Sequence, residues 1–106
     1  MYKYKYRNGY RDQTMTVDRP LSAMPTAKAG VDICPGGTRL ISYSTVIINI
    51  TPDGWLTCTG TYSQTTRKHI TAFIREYAPR LSYYDAKHAY EDHHKININT
   101  GEIVPL

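Results

Sequence analysis

Hydrophobic and polar positions alternate most clearly between residues 41 and 62. ISYSTVIINI (41–50) is rich in β-branched side chains, which suit pleated backbone. It ends at Thr51-Pro52-Asp53-Gly54, where proline presets φ and glycine accepts the positive φ of a tight turn. WLTCTGTY (55–62) then alternates, with Leu56, Cys58, Gly60 and Tyr62 on one face and Thr57, Thr59 and Thr61 on the other. This reads as two strands joined in a hairpin, the first row toward a core.

At Ser63 the period lengthens. Ile70, Phe73, Ile74 and Tyr77 recur at helical spacing, an apolar stripe that belongs on a sheet. Ser63 is placed to cap this helix by accepting a backbone N–H from Thr65 or Thr66, and Pro79 ends it. Ser82-Tyr83-Tyr84-Asp85 is a second start, close to a capping box with aspartate in place of glutamate. Tyr83, Ala86 and Tyr90 form its expected buried face. INI at 96–98 alternates again, Asn99-Thr100-Gly101 turns, and EIV at 102–104 returns as a last short strand.

The first seventeen residues carry a separate pattern. In YKYKYR, a period of 2 sets Tyr2, Tyr4 and Tyr6 on one face and Lys3, Lys5 and Arg7 on the other. Asn8-Gly9 follows, a strong signal for a two-residue hairpin loop of type I′. The expectation is a hairpin over about 2–7 and 10–17. Between them, residues 18–40 hold three prolines and three glycines with no sustained period. They read as a long irregular connector, and such connectors tend to be functional or flexible. CPGGT within it lacks the spacing of a phosphate-binding loop.

The expected fold class is therefore α+β in a single domain over 1–106. A hairpin arm (1–17) and the connector (18–40) precede a ββααβ core (41–106), with two helices on a small antiparallel sheet.

Charge sharpens the picture. The net charge is +4, unevenly placed. Residues 1–11 contribute four cations and no acid, residues 61–80 a net +3, and the remainder is near neutral or slightly negative. Two basic patches attract anionic partners, although basic faces are also ordinary solvated surface. Ten tyrosines against one phenylalanine and one tryptophan suit a small core that ends near water, and also a contact surface. No run approaches the ~18 apolar residues of a membrane span, and MYKYKYRNGYR leads into no secretory h-region. A cytoplasmic protein is the expectation, with Cys34 and Cys58 as free thiols.

Catalytic chemistry finds no constellation. His88, Asp92, His93 and His94 cluster in sequence, but adjacent histidines on a helix diverge by about 100°, so no metal site is expected. No nucleophile motif surrounds Ser63. The reading is a non-enzyme without cofactor or metal.

The best candidate site is TYSQTTRKHI (61–70). Ser63, Thr65 and Thr66 bring hydroxyls to a helix start, and Arg67, Lys68 and His69 bring positive charge where the helix dipole is already positive. Arg75 follows on the Arg67 side. An anion or an acidic protein surface would offset that repulsion; so would water alone. Tyr2, Lys3, Tyr4, Lys5, Tyr6 and Arg7 form a second candidate contact, either an arm that binds nucleic acid or an edge hairpin protected by its lysines.

The segment Y-S-Q-T-T-R-K-H-I, following the SYSTVI and GWL…GTY strands, resembles small proteins of phages and mobile elements of Gram-positive bacteria. That group shows a Y-S-x-T-T-[RS]-[KR]-H-[IL]-x-x-F segment. The resemblance covers about residues 41–106, leaving the first forty as an idiosyncratic addition. It carries Ser63, Thr65, Thr66, Arg67, Lys68 and His69 as a signature without roles, and implies a phage-type accessory protein. The expected function is a counter-defence inhibitor of the anti-CRISPR kind, in the host cytoplasm, binding a host defence protein or its nucleic-acid complex stoichiometrically. Because the chain is basic, it is not a simple DNA mimic. The alternative is a small basic module binding DNA or RNA, with lysines on phosphates and tyrosines stacked on bases.

Overall fold

Hairpin signals account for most of the architecture in the computed structural model, which describes residues 1–61 and 63–106. Strands β1 (Tyr2–Asn8) and β2 (Arg11–Val17) form a two-stranded antiparallel ribbon. The loop is shifted by one residue from the expected Asn8-Gly9. Asn8 pairs with Arg11, leaving Gly9-Tyr10 as the loop. Gly9 carries a φ of 66° whereas Tyr10 is not left-handed, the glycine-first pattern of a type II′ turn.

The second sheet has seven strands in chain order: β3 (Arg19–Pro20), β4 (Ala29–Cys34), β5 (Gly37–Ser42), β6 (Thr45–Ile50), β7 (Trp55–Cys58), β8 (His94–Asn97) and β9 (Ile103–Pro105). All neighbours pair antiparallel. Helices α1 (Gln64–Tyr77) and α2 (Tyr83–Glu91) are inserted between β7 and β8. The fold is α+β.

Residues 18–40 are not an irregular connector: they supply β3, β4 and most of β5. The period of 2 is missing because Ala29, Gly30 and Val31 are all buried, and a strand covered on both faces has no polar row to alternate with. The expected strand over 41–50 also divides. Tyr43 turns with a φ of 56° between β5 and β6. By contrast, the turn after β6 is as expected: the Gly54 N–H donates to the Thr51 carbonyl at 2.9 Å, with Gly54 at a φ of 93°.

The two sheet faces have different covers. The cross-strand row Val31, Leu40, Ile48 and Cys58 faces the helices, where Ile70, Phe73, Ile74, Ala86 and Ala89 complete the main core. Gly30 and Ile41 lie on the opposite face, and there the ribbon docks. Tyr4, Val17 and Ile41 form a second cluster flanked by Tyr2, Tyr6 and Met15. The phenol of Tyr2 donates to the Ala27 carbonyl at 2.7 Å and that of Tyr4 to the Tyr43 carbonyl at 2.5 Å. Burial, with Tyr6 and Tyr2 nearby, holds the Tyr4 phenol well above its ordinary titration range.

Gly30 makes this docking possible. A Cβ there would stand 2.3 Å from Val17 Cγ2, far inside van der Waals contact. Gly30→Ala is therefore expected to destabilise the protein by about 1–3 kcal/mol and to loosen the ribbon. Urea unfolding gives the first effect, and faster tryptic cleavage at Lys3–Arg11 the second.

Helix α2 differs from expectation on one side. Asp85 accepts the Ser82 backbone N–H at 2.7 Å, as the capping pattern requires. Ala86 and Ala89 make the buried face, while Tyr90 is 42% exposed. The buried arc is centred between the two alanines, which turns Tyr90 toward the rim.

Candidate binding groove on the first helix

The start of α1 is built from its cap. Ser63 Oγ accepts the Thr66 N–H at 3.2 Å, satisfying one of the free N–H groups of the first turn. The same hydroxyl lies 3.3 Å from Thr66 Oγ1. Thr66 Oγ1 lies 3.4 Å from Ser42 Oγ, and Ser42 Oγ lies 2.8 Å from His69 Nδ1. A chain of polar groups thus runs from the cap into the interior, tying α1 to the end of β5.

This corrects the expected anion site at two positions. Thr66 and His69 are buried, with only 3% and 1% of their surfaces exposed, so neither lies on the open surface of the helix. Thr66, His69, Ile70, Phe73 and Ile74 all lie on the buried stripe. Extending the apolar period back by one turn places both residues there. Ser63 is exposed, with its oxygen occupied by the cap; Thr65, Arg67, Lys68 and Arg75 remain on the surface. Tyr62 lies outside the described residues.

Burial pulls the His69 pKa below its ordinary 6.5, because the interior disfavours the imidazolium. The folded state therefore holds His69 neutral. As pH falls below about 6.5 the unfolded chain binds a proton that the folded one refuses, so stability falls toward the lowered folded value. Melting temperature is expected to drop through this window, and His69→Gln to flatten that slope.

Arg67 answers the charge at the helix start. No acidic residue occupies the first turn of α1, yet the guanidinium has partners on α2. It stands 4.6 Å from the Tyr83 ring centroid and 5.7 Å from that of Tyr84. It also donates to the Tyr84 hydroxyl at 3.3 Å. Cation–π contact of this kind is worth about 0.5–1 kcal/mol at an exposed site. Nothing in sequence order signals this partnership, since only the α1–α2 crossing brings the tyrosines alongside.

Beyond Arg67 the exposed side of α1 opens into a groove of about 430 Å³. Gln64, Arg67, Lys68, Thr71, Ala72 and Arg75 line it from the helix, and Ala23 with Met24 form the opposite wall. That wall is held in place by Ser22, whose hydroxyl lies 2.8 and 2.6 Å from the two carboxylate oxygens of Glu76. Three of the lining side chains are cations and none is a carboxylate. The arrangement offers charge-assisted hydrogen bonds above a small apolar floor.

The arm presents a different surface. Lys3, Lys5 and Arg7 are exposed, whereas Tyr4 is buried and Tyr2 and Tyr6 are half-buried. The tyrosine rings therefore face the sheet and are not free for stacking. Tyr10, at the tip, is fully exposed. The arm and α1 occupy opposite faces of the sheet, so the two basic patches do not merge.

A family model matches residues 5–91 of the chain, from the arm through the end of α2. The chain belongs to the family of unknown function DUF8033. Its DUF8033 span contains the whole groove and begins at Lys5, so it takes in residues 18–40 and most of the arm. Searches of curated proteins and of solved structures found no match.

Helix α2 ends at Glu91, with the DUF8033 span and before the last two histidines. His93 adopts a φ of 53° and His94 opens β8, so the helical spacing assumed for them does not apply. Among the described residues no group of three or more His, Cys, Asp or Glu is placed to hold a metal ion. Both cysteines are free thiols, and burial pushes the Cys58 thiol up, which disfavours its thiolate. Among the described residues no helix is long and apolar enough to cross a membrane.

Proposed function

We propose that the protein acts by stoichiometric binding, docking the groove of α1 on an acidic surface of a partner protein. The observation that carries this reading is the groove lining, with Arg67, Lys68 and Arg75 and no carboxylate. Its most cationic end is steadied by Tyr83 and Tyr84. A planar guanidinium already held on aromatic rings loses little freedom on pairing with a carboxylate.

The partner class we propose, in keeping with the resemblance to phage and mobile-element proteins, is a host defence effector, blocked in the cytoplasm of the bacterial host in the manner of an anti-CRISPR protein. Nucleic-acid binding by stacking on Tyr2, Tyr4 and Tyr6 is the weaker reading, since those rings pack against the sheet.

The test is plasmid interference in bacteria carrying a CRISPR–Cas system directed at the plasmid. Expression of the protein is expected to restore transformation, and Arg67→Ala/Lys68→Ala to remove that effect at equal protein level. Full interference with wild-type protein across effector types would count against the reading. So would an inhibited complex that falls apart on nuclease treatment.

A further inference from the structure

The groove has a length and a periodicity, and both constrain what fits it. Its helical lining runs from Gln64 to Arg75. At 1.5 Å per residue the span from Arg67 to Arg75 is about 12 Å along the axis. In an extended chain, residues i and i+4 are about 13 Å apart and point to the same side. The residue between them, i+2, points that way as well. Between the cations, the floor is Ala72, 7% exposed, with Met24 facing it from the opposite wall.

We propose that the groove takes an extended acidic segment with carboxylates at i and i+4 and an apolar side chain at i+2. This rests on the protein-binding reading above and specifies the partner's chemistry. The first carboxylate pairs with Arg67 and Lys68 and the last with Arg75, while the apolar side chain sits on Ala72 and Met24. Charge complementarity selects the sign, and spacing selects the register.

The probe is a fluorescein-labelled peptide carrying Glu-Ala-Leu-Ala-Glu, followed by anisotropy at about 0.15 M salt, where long-range attraction is screened beyond about 8 Å. Two comparison peptides are used: one with both glutamates replaced by glutamine, and one of equal charge with them adjacent, Glu-Glu-Ala-Leu-Ala. The proposal expects at least tenfold weaker binding for each. It expects a similar loss for Arg75→Ala, consistent with losing one charge-assisted contact.

Equal affinity for the two charged peptides would overturn the register. Loss of binding on Lys3→Ala/Lys5→Ala, with Arg75→Ala unaffected, would move the site to the arm and overturn the proposal. If the peptide fails while relief of plasmid interference still depends on Arg67 and Lys68, the segment chemistry is wrong and the binding reading survives. If interference is blocked equally well without those charges, the binding reading itself falls.

Discussion

Replacing Phe73 by alanine is expected to lower the free energy of unfolding by about 3–5 kcal/mol, the range for deleting a buried aromatic ring. Phe73 is fully buried and is the largest such side chain among the described residues. It lies in the middle of the α1 stripe, its ring 4.9 Å from that of Tyr77. Its loss leaves a cavity between α1 and the sheet that the surrounding rigid strands fill only in part. Denaturant unfolding measures the effect, which is a large share of the ~5–15 kcal/mol that typically separates folded from unfolded domains. Because α1 carries one wall of the groove, binding is expected to weaken in the same variant through loss of folded protein.

Arg67→Ala/Lys68→Ala is expected to do the opposite. Partner affinity falls by about a hundredfold or more, since two charge-assisted contacts contribute about 1.5–3 kcal/mol each. Stability changes by less than about 1 kcal/mol. The lost cation–π contact on Tyr83 and Tyr84 costs a fraction of that, and removing positive charge from the helix N-terminus returns a few tenths. Thermal unfolding alongside a binding titration separates the two effects. The Ser63 cap stays untouched in this variant.

Legibility in the sequence followed burial. Where one face of an element meets water and the residues keep its period, the pattern was readable: the arm, β7 and α1 stand close to their expected positions. It failed at Ala29–Val31, where helices cover one face and the ribbon the other, and at Tyr43, which turns without the usual glycine or asparagine. The site was legible in part for the same reason. Arg67, Lys68 and Arg75 are surface residues and were found as such. His69 was misjudged through its neighbours in sequence, although its helical position aligns it with Phe73. Ala23 and Met24 reach the groove, and Tyr83 and Tyr84 reach Arg67, only through tertiary packing, which no local pattern encodes.

The central claim is that the exposed side of α1, rather than the arm, is the docking surface. Titrating the ¹⁵N-labelled protein with the Glu-Ala-Leu-Ala-Glu peptide tests it most directly through backbone amide shifts. The prediction is a contiguous set of changes over Gln64–Arg75 and at Ala23 and Met24, saturating at one peptide per protein. Changes confined to residues 2–16 of the arm, or none at saturating peptide, would contradict it.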